Sequence, residues 1–215
     1  MAAALRTLRN ALLANLSVIL GGYWPALRIL RAMRRVNGIQ LSAAELRTIA
    51  LTVRRRAPCR FLIFGFGNDA PFWMRLNRGG TTLFLEDNED WLQKGIRCNP
   101  EAAIYPVAYE TLRPQWRALL DAPGGLVTKL PELVEGTRWD VILVDAPAGW
   151  SDATPGRMKS IFLASRLVAA NGDVFVHDCD REVEQVYCDR FLHTDNLVAQ
   201  IKLLRHYRVA SARPV

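Results

Sequence analysis

Residues 60–90 read RFLIFGFGNDAPFWMRLNRGGTTLFLEDNED, and their order of residue types decides the fold. Phe61–Phe64 is a short apolar run of the kind that fills a buried strand. Gly65 and Gly67 form a turn, and Ala70–Leu76 has the composition of a short helix. Asn77–Gly80 breaks the chain, and Thr81–Leu85 is a second strand rich in β-branched and apolar residues. The acids Glu86, Asp87 and Glu89 follow at once. Strand, glycine turn, helix, strand, acid is the unit with which a parallel α/β sheet holds a nucleoside-bearing cofactor. The glycines let backbone approach the ligand, and a carboxylate after the second strand can accept hydrogen bonds from a ribose diol.

The third glycine of the dinucleotide fingerprint is missing, because Asn68, Asp69 and Ala70 follow Gly67. Asn68 and Asp69 suit the start of a helix as capping residues. An acid there is poor company for a pyrophosphate. The stretch therefore favours a cofactor without phosphates, S-adenosyl-L-methionine, over a nicotinamide dinucleotide.

Working outward, strands alternate with helices along the 215-residue chain. Ala26–Arg35 and Ser42–Arg55 read as helices, the second opened by a capping box with Ser42 as N-cap and Glu45 three residues on. After residue 90 a helix is expected near Asp90–Gln93, a strand at Ala103–Val107 and short helical pieces at Pro114–Leu120 and Leu130–Val134. Trp139–Val144 is a strongly apolar strand ending in Asp145. A helix is expected from about Pro155 to Val168, then a turn at Asn171-Gly172 and a strand Asp173–Val176 ending in His177-Asp178. Glu182–Leu192 reads as a helix, and Leu197–Val209 as one or two terminal strands. The expected fold is α/β, a doubly wound Rossmann-like sheet with helices on both faces, of the class I methyltransferase type on the resemblance described below. Ligands of such sheets lie beyond the carboxyl ends of the strands, which is where Gly65-Phe66-Gly67, Glu86-Asp87, Asp145 and His177-Asp178 fall.

Charge is unevenly placed. The net +7 arises from residues 1–60, which carry 11 Lys/Arg against Glu45 alone, while the remainder is slightly acidic. The basic surplus thus belongs to the N-terminal segment, not to the catalytic sheet, and no aromatic-basic module points to nucleic acid. Residues 10–27, an uncharged run flanked by basic residues, are open to three readings: an accessory helix, a membrane anchor or an interfacial helix. The expected division is residues 1–22 as this hydrophobic and basic segment and 23–215 as the cofactor-binding domain. Cys59, Cys98, Cys179 and Cys188 show neither C-x-x-C nor metal-finger spacing and read as isolated thiols.

Four blocks, FLIFGFGNDAPFWMRLNRGGTTLFLEDNEDW, WDVILVDAPAG, PGRMKSIF and DVFVHDCDREVEQVYCDRFL, resemble the glucuronoxylan 4-O-methyltransferase family of polysaccharide-biosynthesis proteins. The resemblance runs from about Tyr23 to Val209, with the blocks in the family's order. It implies an S-adenosyl-L-methionine-dependent enzyme that methylates O-4 of glucuronate units on xylan, with relatives acting on arabinogalactan. The family's first turn usually reads G-L-G-H-D, and Asn68 stands here in the place of that histidine. Plant members carry an anchor and a stem. This Ala- and Arg-rich chain is expected to be a microbial relative, cytoplasmic or membrane-associated, with a Golgi membrane the expectation for a plant-like member.

For such a reaction the cofactor side falls to Gly65, Phe66 and Gly67 near the amino-acid portion, Glu86 on the ribose, Asp87 or Asn88 near the adenine, and Asp145 facing the methyl group. Asp145, His177 and Asp178 are the candidates for the base, and the sequence does not choose among them. Asp145, Asp178 and Asp180 together form a possible oxygen-ligand set for a divalent cation. An arginine is wanted for the uronate carboxylate, with Arg157 the first choice and Arg75 and Arg78 behind it. Trp150 and Trp73 are candidates for stacking on sugar. Rival readings are a methyltransferase of small molecules or nucleic acid, a non-catalytic polysaccharide-assembly factor, and, more distantly, a nicotinamide oxidoreductase.

Overall fold

The computed structural model describes residues 38–210. The expected helix at Ala26–Arg35 and the 10–27 segment lie outside the described residues. Two compact units emerge. Within the described residues, one comprises residues 38–58 and 67–81, and the other residues 59–66 and 82–210.

The first unit holds α1 (Ala43–Arg56) and α2 (Ala70–Leu76), which pack together. The capping box that opens α1 forms as the sequence demands: the Ser42 N–H donates to Glu45 Oε2 at 2.5 Å, and the Glu45 N–H donates to Ser42 Oγ at 3.4 Å. Leu46, Ile49, Ala50 and Val53 are the buried face. Asp69 does not cap α2 with its side chain; the carboxylate accepts the Trp73 indole N–H at 2.7 Å. Trp73 itself is buried, so it is a packing residue.

The second unit is built on the sheet. Its strands are β1 (Arg60–Phe64), β2 (Thr81–Glu86, whose first residue belongs to the other unit), β3 (Ala103–Pro106), β4 (Trp139–Val144), β5 (Val168–Val176), β6 (Leu197–Ile201) and β7 (Leu204–Val209). Their order is β3-β2-β1-β4-β5-β7-β6. The pairs β1–β4, β4–β5 and β2–β3 are parallel, whereas β7 runs antiparallel to both β5 and β6. β1 and β4 are apolar along nearly their whole length because central parallel strands are covered on both faces. The intervening helices are α3 (Glu89–Cys98), α4 (Trp116–Asp121), α5 (Glu132–Glu135), α6 (Met158–Leu167) and α7 (Glu182–Phe191).

The core gathers Leu62, Phe64, Trp139, Ile142, Val144 and Tyr187, each fully buried. Each large side chain of this kind contributes about 1.5–3 kcal/mol on leaving water. Two boundaries differ from the sequence reading. Trp139 pairs with Val168 but Val141 pairs with Asp173, so β5 begins before the Asn171-Gly172 turn and bulges there, with Asn171 at φ 58°. The helix expected from Pro155 starts only at Met158, because Gly156 at φ 72° turns the chain and Arg157 is the N-cap.

The chain order reverses at β1: β2 and β3 extend the sheet to one side, and β4 returns on the other. This is the switch point at which a doubly wound sheet opens a crevice. Backbone bonds carry the ladder one residue past the strand ends on both sides of it. Gly65 N–H donates to Leu85 O at 2.7 Å, Asp145 N–H to Phe64 O at 3.0 Å and His177 N–H to Val144 O at 3.0 Å. Glu86, Gly65, Asp145 and His177 therefore stand in a row along one rim.

Candidate active site

On the cofactor side, Gly65 has φ 109°, and a Cβ there would come within 3.0 Å of the Ala146 Cβ. Only glycine combines that backbone conformation with so close an approach. The Phe66 ring turns away into the protein and packs edge-on to Phe84 at 5.2 Å, so it offers the rim its backbone alone. Glu86 is buried; Oε2 accepts the Phe66 N–H at 2.6 Å and Oε1 accepts the Asn88 N–H at 2.8 Å. Burial pushes the Glu86 carboxyl up, and these backbone donors temper the rise. Its remaining lone pairs suit a diol. Asp87 follows, exposed at the strand end. The bare turn at Gly65 and the polar end of β2 fit a nucleoside that carries no phosphate. Gly67 belongs to the first unit, where a Cβ would press on Asp69 Oδ1 at 2.6 Å.

The acceptor side is an ionic network. Asp145 Oδ1 lies 3.0 Å from His177 Nδ1 and 3.3 Å from Arg157 Nη2. Asp178, at φ 60°, curls back so that Oδ1 is 3.3 Å from His177 Nδ1 and Oδ2 is 2.7 Å from Arg157 Nη2. A left-handed aspartate is a strained conformation held by its surroundings. Of the candidate bases, the Asp145 side chain keeps 30% of its surface, against 9% for Asp178 and 3% for His177. Asp145 is therefore the most accessible of the three.

Burial pushes the Asp145 carboxyl up, but the His177 hydrogen bond and the Arg157 charge outweigh it and hold the group below the usual carboxylate range. Desolvation pulls His177 down, yet the hydrogen bond to Asp145 and the charges of Asp145 and Asp178 leave it above its ordinary 6.5. An anion and a strengthened base thus share one proton-handling pair.

Arg157 is at the centre. Its Nε donates to Pro147 O at 3.3 Å, Nη1 to His177 O at 2.6 Å and Nη2 to Asp145 O at 2.7 Å, in addition to the carboxylates. The buried guanidinium clamps the loops after β4 and β5 together. Each of its three nitrogens donates to a group inside the protein, which makes it a clamp between these loops. Arg75 lies in the last turn of α2 in the first unit, and Arg78 is exposed beyond it. Trp150 is 74% exposed in the loop after β4.

Among the described residues no three His, Cys, Asp or Glu side chains converge as a cation cage. Asp180 is exposed, and the Arg157 charge stands on Asp145 and Asp178, where a divalent ion would have to stand. In this arrangement the donor set does not fit a cation. The sequence reading missed Arg181 and Glu184. Their i,i+3 spacing at the start of α7 was the available signal, and the pair lies directly behind Asp178, with Arg181 Nη2 at 2.9 Å from Asp178 Oδ2.

The sequence and the fold both have counterparts among known proteins. A family model described as IRX15/IRX15L/GXM matches residues 44–124 and 125–207. Glucuronoxylan 4-O-methyltransferase 2 of Arabidopsis thaliana is 37% identical over 180 residues, covering 74% of this chain and 62% of that protein. Arabinogalactan O-methyltransferase 2 of the same plant is 34% identical, covering 80% of this chain and 68% of that protein. The chain thus spans about two thirds of the length of these relatives. A Staphylococcus aureus structure assigned as a caffeoyl-CoA O-methyltransferase superposes with a TM-score of 0.55 at 13% identity, covering 94% of this chain and 99% of that one. That likeness is one of fold, the class I methyltransferase sheet. From the family match and the extent of the identities, the chain belongs to the IRX15/IRX15L/GXM family.

Proposed function

We propose that this protein is an S-adenosyl-L-methionine-dependent O-methyltransferase that acts on a glucuronate-bearing glycan or a smaller glucuronide, at O-4 of the glucuronosyl unit. The observation that carries the reading is the partly exposed Asp145, bonded to His177 and lying across the switch point from the Gly65 turn. The acceptor class is suggested by the relatives, a glucuronoxylan and an arabinogalactan methyltransferase.

When bound, the cofactor supplies a sulfonium-activated methyl group. Gly65 admits it closely, and Glu86 takes the ribose hydroxyls. The chain's work is alignment and proton removal. Asp145 accepts a hydrogen bond from the reacting hydroxyl, and the Asp145–His177 pair takes up its proton as the new C–O bond forms and the C–S bond breaks. Arg157 keeps both loops in register throughout. Trp150 offers an exposed face to the sugar ring.

The test is calorimetric titration with S-adenosyl-L-methionine and S-adenosylhomocysteine, followed by methyl transfer to glucuronoxylan fragments with product linkage read by NMR. Micromolar binding that collapses in Glu86→Ala, with methylation at O-4, supports the reading. A folded wild type that binds neither compound overturns it in favour of a non-catalytic polysaccharide-assembly factor. A chelator arm reads out the cation question. Activity lost to chelator and restored by a divalent ion would mean that Arg157 yields a carboxylate to the metal.

A further inference from the structure

The conspicuous unspent chemistry of the second unit is on the first turn of α7. Glu184 is fully buried, and neither carboxylate oxygen accepts a hydrogen bond of normal geometry. Its nearest cation is Arg181 Nη1 at 3.5 Å from Oε1, and that nitrogen is likewise buried without a hydrogen-bond partner. The other end of the same guanidinium is fixed on Asp178 at 2.9 Å. A buried guanidinium nitrogen and a buried carboxylate that meet only as a 3.5 Å ion pair keep hydrogen-bonding capacity unused, which costs a protein stability unless something else completes it.

What lies over the pair is a glycine. A Cβ on Gly149 would stand 2.8 Å from Glu184 Oε1 and 3.0 Å from Arg181 Nη1. Any side chain there would collide with the pair, so the Gly149 backbone lies directly against it. Gly149 lies in a loop closed by the Gly156 N–H donating to Ala148 O at 2.9 Å, and the next residue is the exposed Trp150. The chain around the Asp145–His177 pair thus carries a covered donor–acceptor couple, a glycine over it and an exposed aromatic beside that glycine.

We propose that Arg181 and Glu184 form a sugar-hydroxyl subsite for the acceptor: a ring hydroxyl next to the methylated one donates to Glu184 and accepts from Arg181. A hydroxyl is the group that suits both partners at once, since its oxygen can lie at hydrogen-bond distance from two atoms 3.5 Å apart. Both atoms are closed to solvent here, so the sugar reaches them as the 148–156 loop lifts, with Trp150 moving onto the ring. Burial pushes the Glu184 carboxyl up, and the nearby Arg157 and Arg181 charges oppose this, so the group gains most from a partner that brings its own proton. The inference rests on the acceptor class proposed above.

The experiment compares wild type, Glu184→Gln, Arg181→Lys and Gly149→Ala on a methyl glucuronide and on its analogue lacking the hydroxyl at C-3. The expected result is a rise in acceptor KM of tenfold or more in each variant, with the calorimetric affinity for S-adenosylhomocysteine unchanged. The deoxy analogue should cost wild type a similar factor and cost Glu184→Gln nothing further. Should Glu184→Gln fail to fold, Gly149→Ala carries the test, because it crowds the pair without removing a charge. Variants with lowered melting temperature but wild-type KM overturn the subsite and leave a structural ion pair. A wild type that binds cofactor but methylates no glucuronide overturns the acceptor class, and the subsite with it.

Discussion

The two halves of the rim solve the same problem with different materials. On the cofactor side a glycine turn and one carboxylate, Glu86, are held by backbone N–H groups from residues 66 and 88. On the acceptor side Asp145, His177, Asp178, Arg157, Arg181 and Glu184 hold one another through side chains drawn from the segments after β4, before α6 and after β5. Backbone-borne recognition tolerates substitution around it. A charge network fails when one member is removed, because its partners stay buried and uncompensated.

The largest expected effect follows from that asymmetry. Arg157→Ala leaves two carboxylates and several loop carbonyls without their donor and should cost about 3–5 kcal/mol of stability, read by urea denaturation. It should also abolish methyl transfer. An Arg157→Ala protein as stable as wild type would erase the distinction between the two sides. On the other side, Glu86→Ala strands two backbone N–H groups and should cost about 1–3 kcal/mol. Its main effect is at least a tenfold loss of cofactor affinity by calorimetry.

A subtler contrast is in pH. The depressed Asp145 carboxyl contributes stability that is present above its unfolded value near 3.8 and is lost as pH falls through the folded value. The raised His177 contributes stability that is present below 6.5 and is lost as pH rises through its folded value. The pair is fully ionic between those two folded values. Proton uptake by the pair needs His177 deprotonated, so kcat should rise with pH along a limb centred above 6.5. Asp145→Asn should lower activity and move that limb downward; a limb that stays in place would remove His177 from proton handling. The smallest effect is expected for Trp150→Ala. Melting should change by less than about 0.5 kcal/mol because the ring is exposed, while acceptor KM rises severalfold in steady-state kinetics.

The same contrast explains what was legible in the sequence. β1, the glycine turn, α2 and β2 are local, and period, turn residues and composition specify them within a residue. The row of polar strand ends followed from the strand pattern alone. The role of Arg157 was not legible: an arginine spent on loop carbonyls has the same sequence as one facing a substrate, because carbonyl partners carry no side-chain signature. Asp69 misled in a similar way, since capping and the bond to the Trp73 indole ask for the same residue type. Nothing in the sequence sets Glu184 apart from other acids of the expected 182–192 helix, because its burial has no local signature.

The backbone bonds that extend the sheet past its strand ends, Asp145 N–H to Phe64 O and His177 N–H to Val144 O, have a kinetic consequence. These two amides lie in the same cooperative unit as the central strands, so in deuterium oxide they should exchange only as fast as the whole sheet opens. The Trp150 amide, at the tip of the loop, should exchange orders of magnitude sooner. On the subsite proposal, in which the 148–156 loop lifts to admit an acceptor, the alignment of Asp145 then survives each opening because the amide that holds it opens only with the sheet.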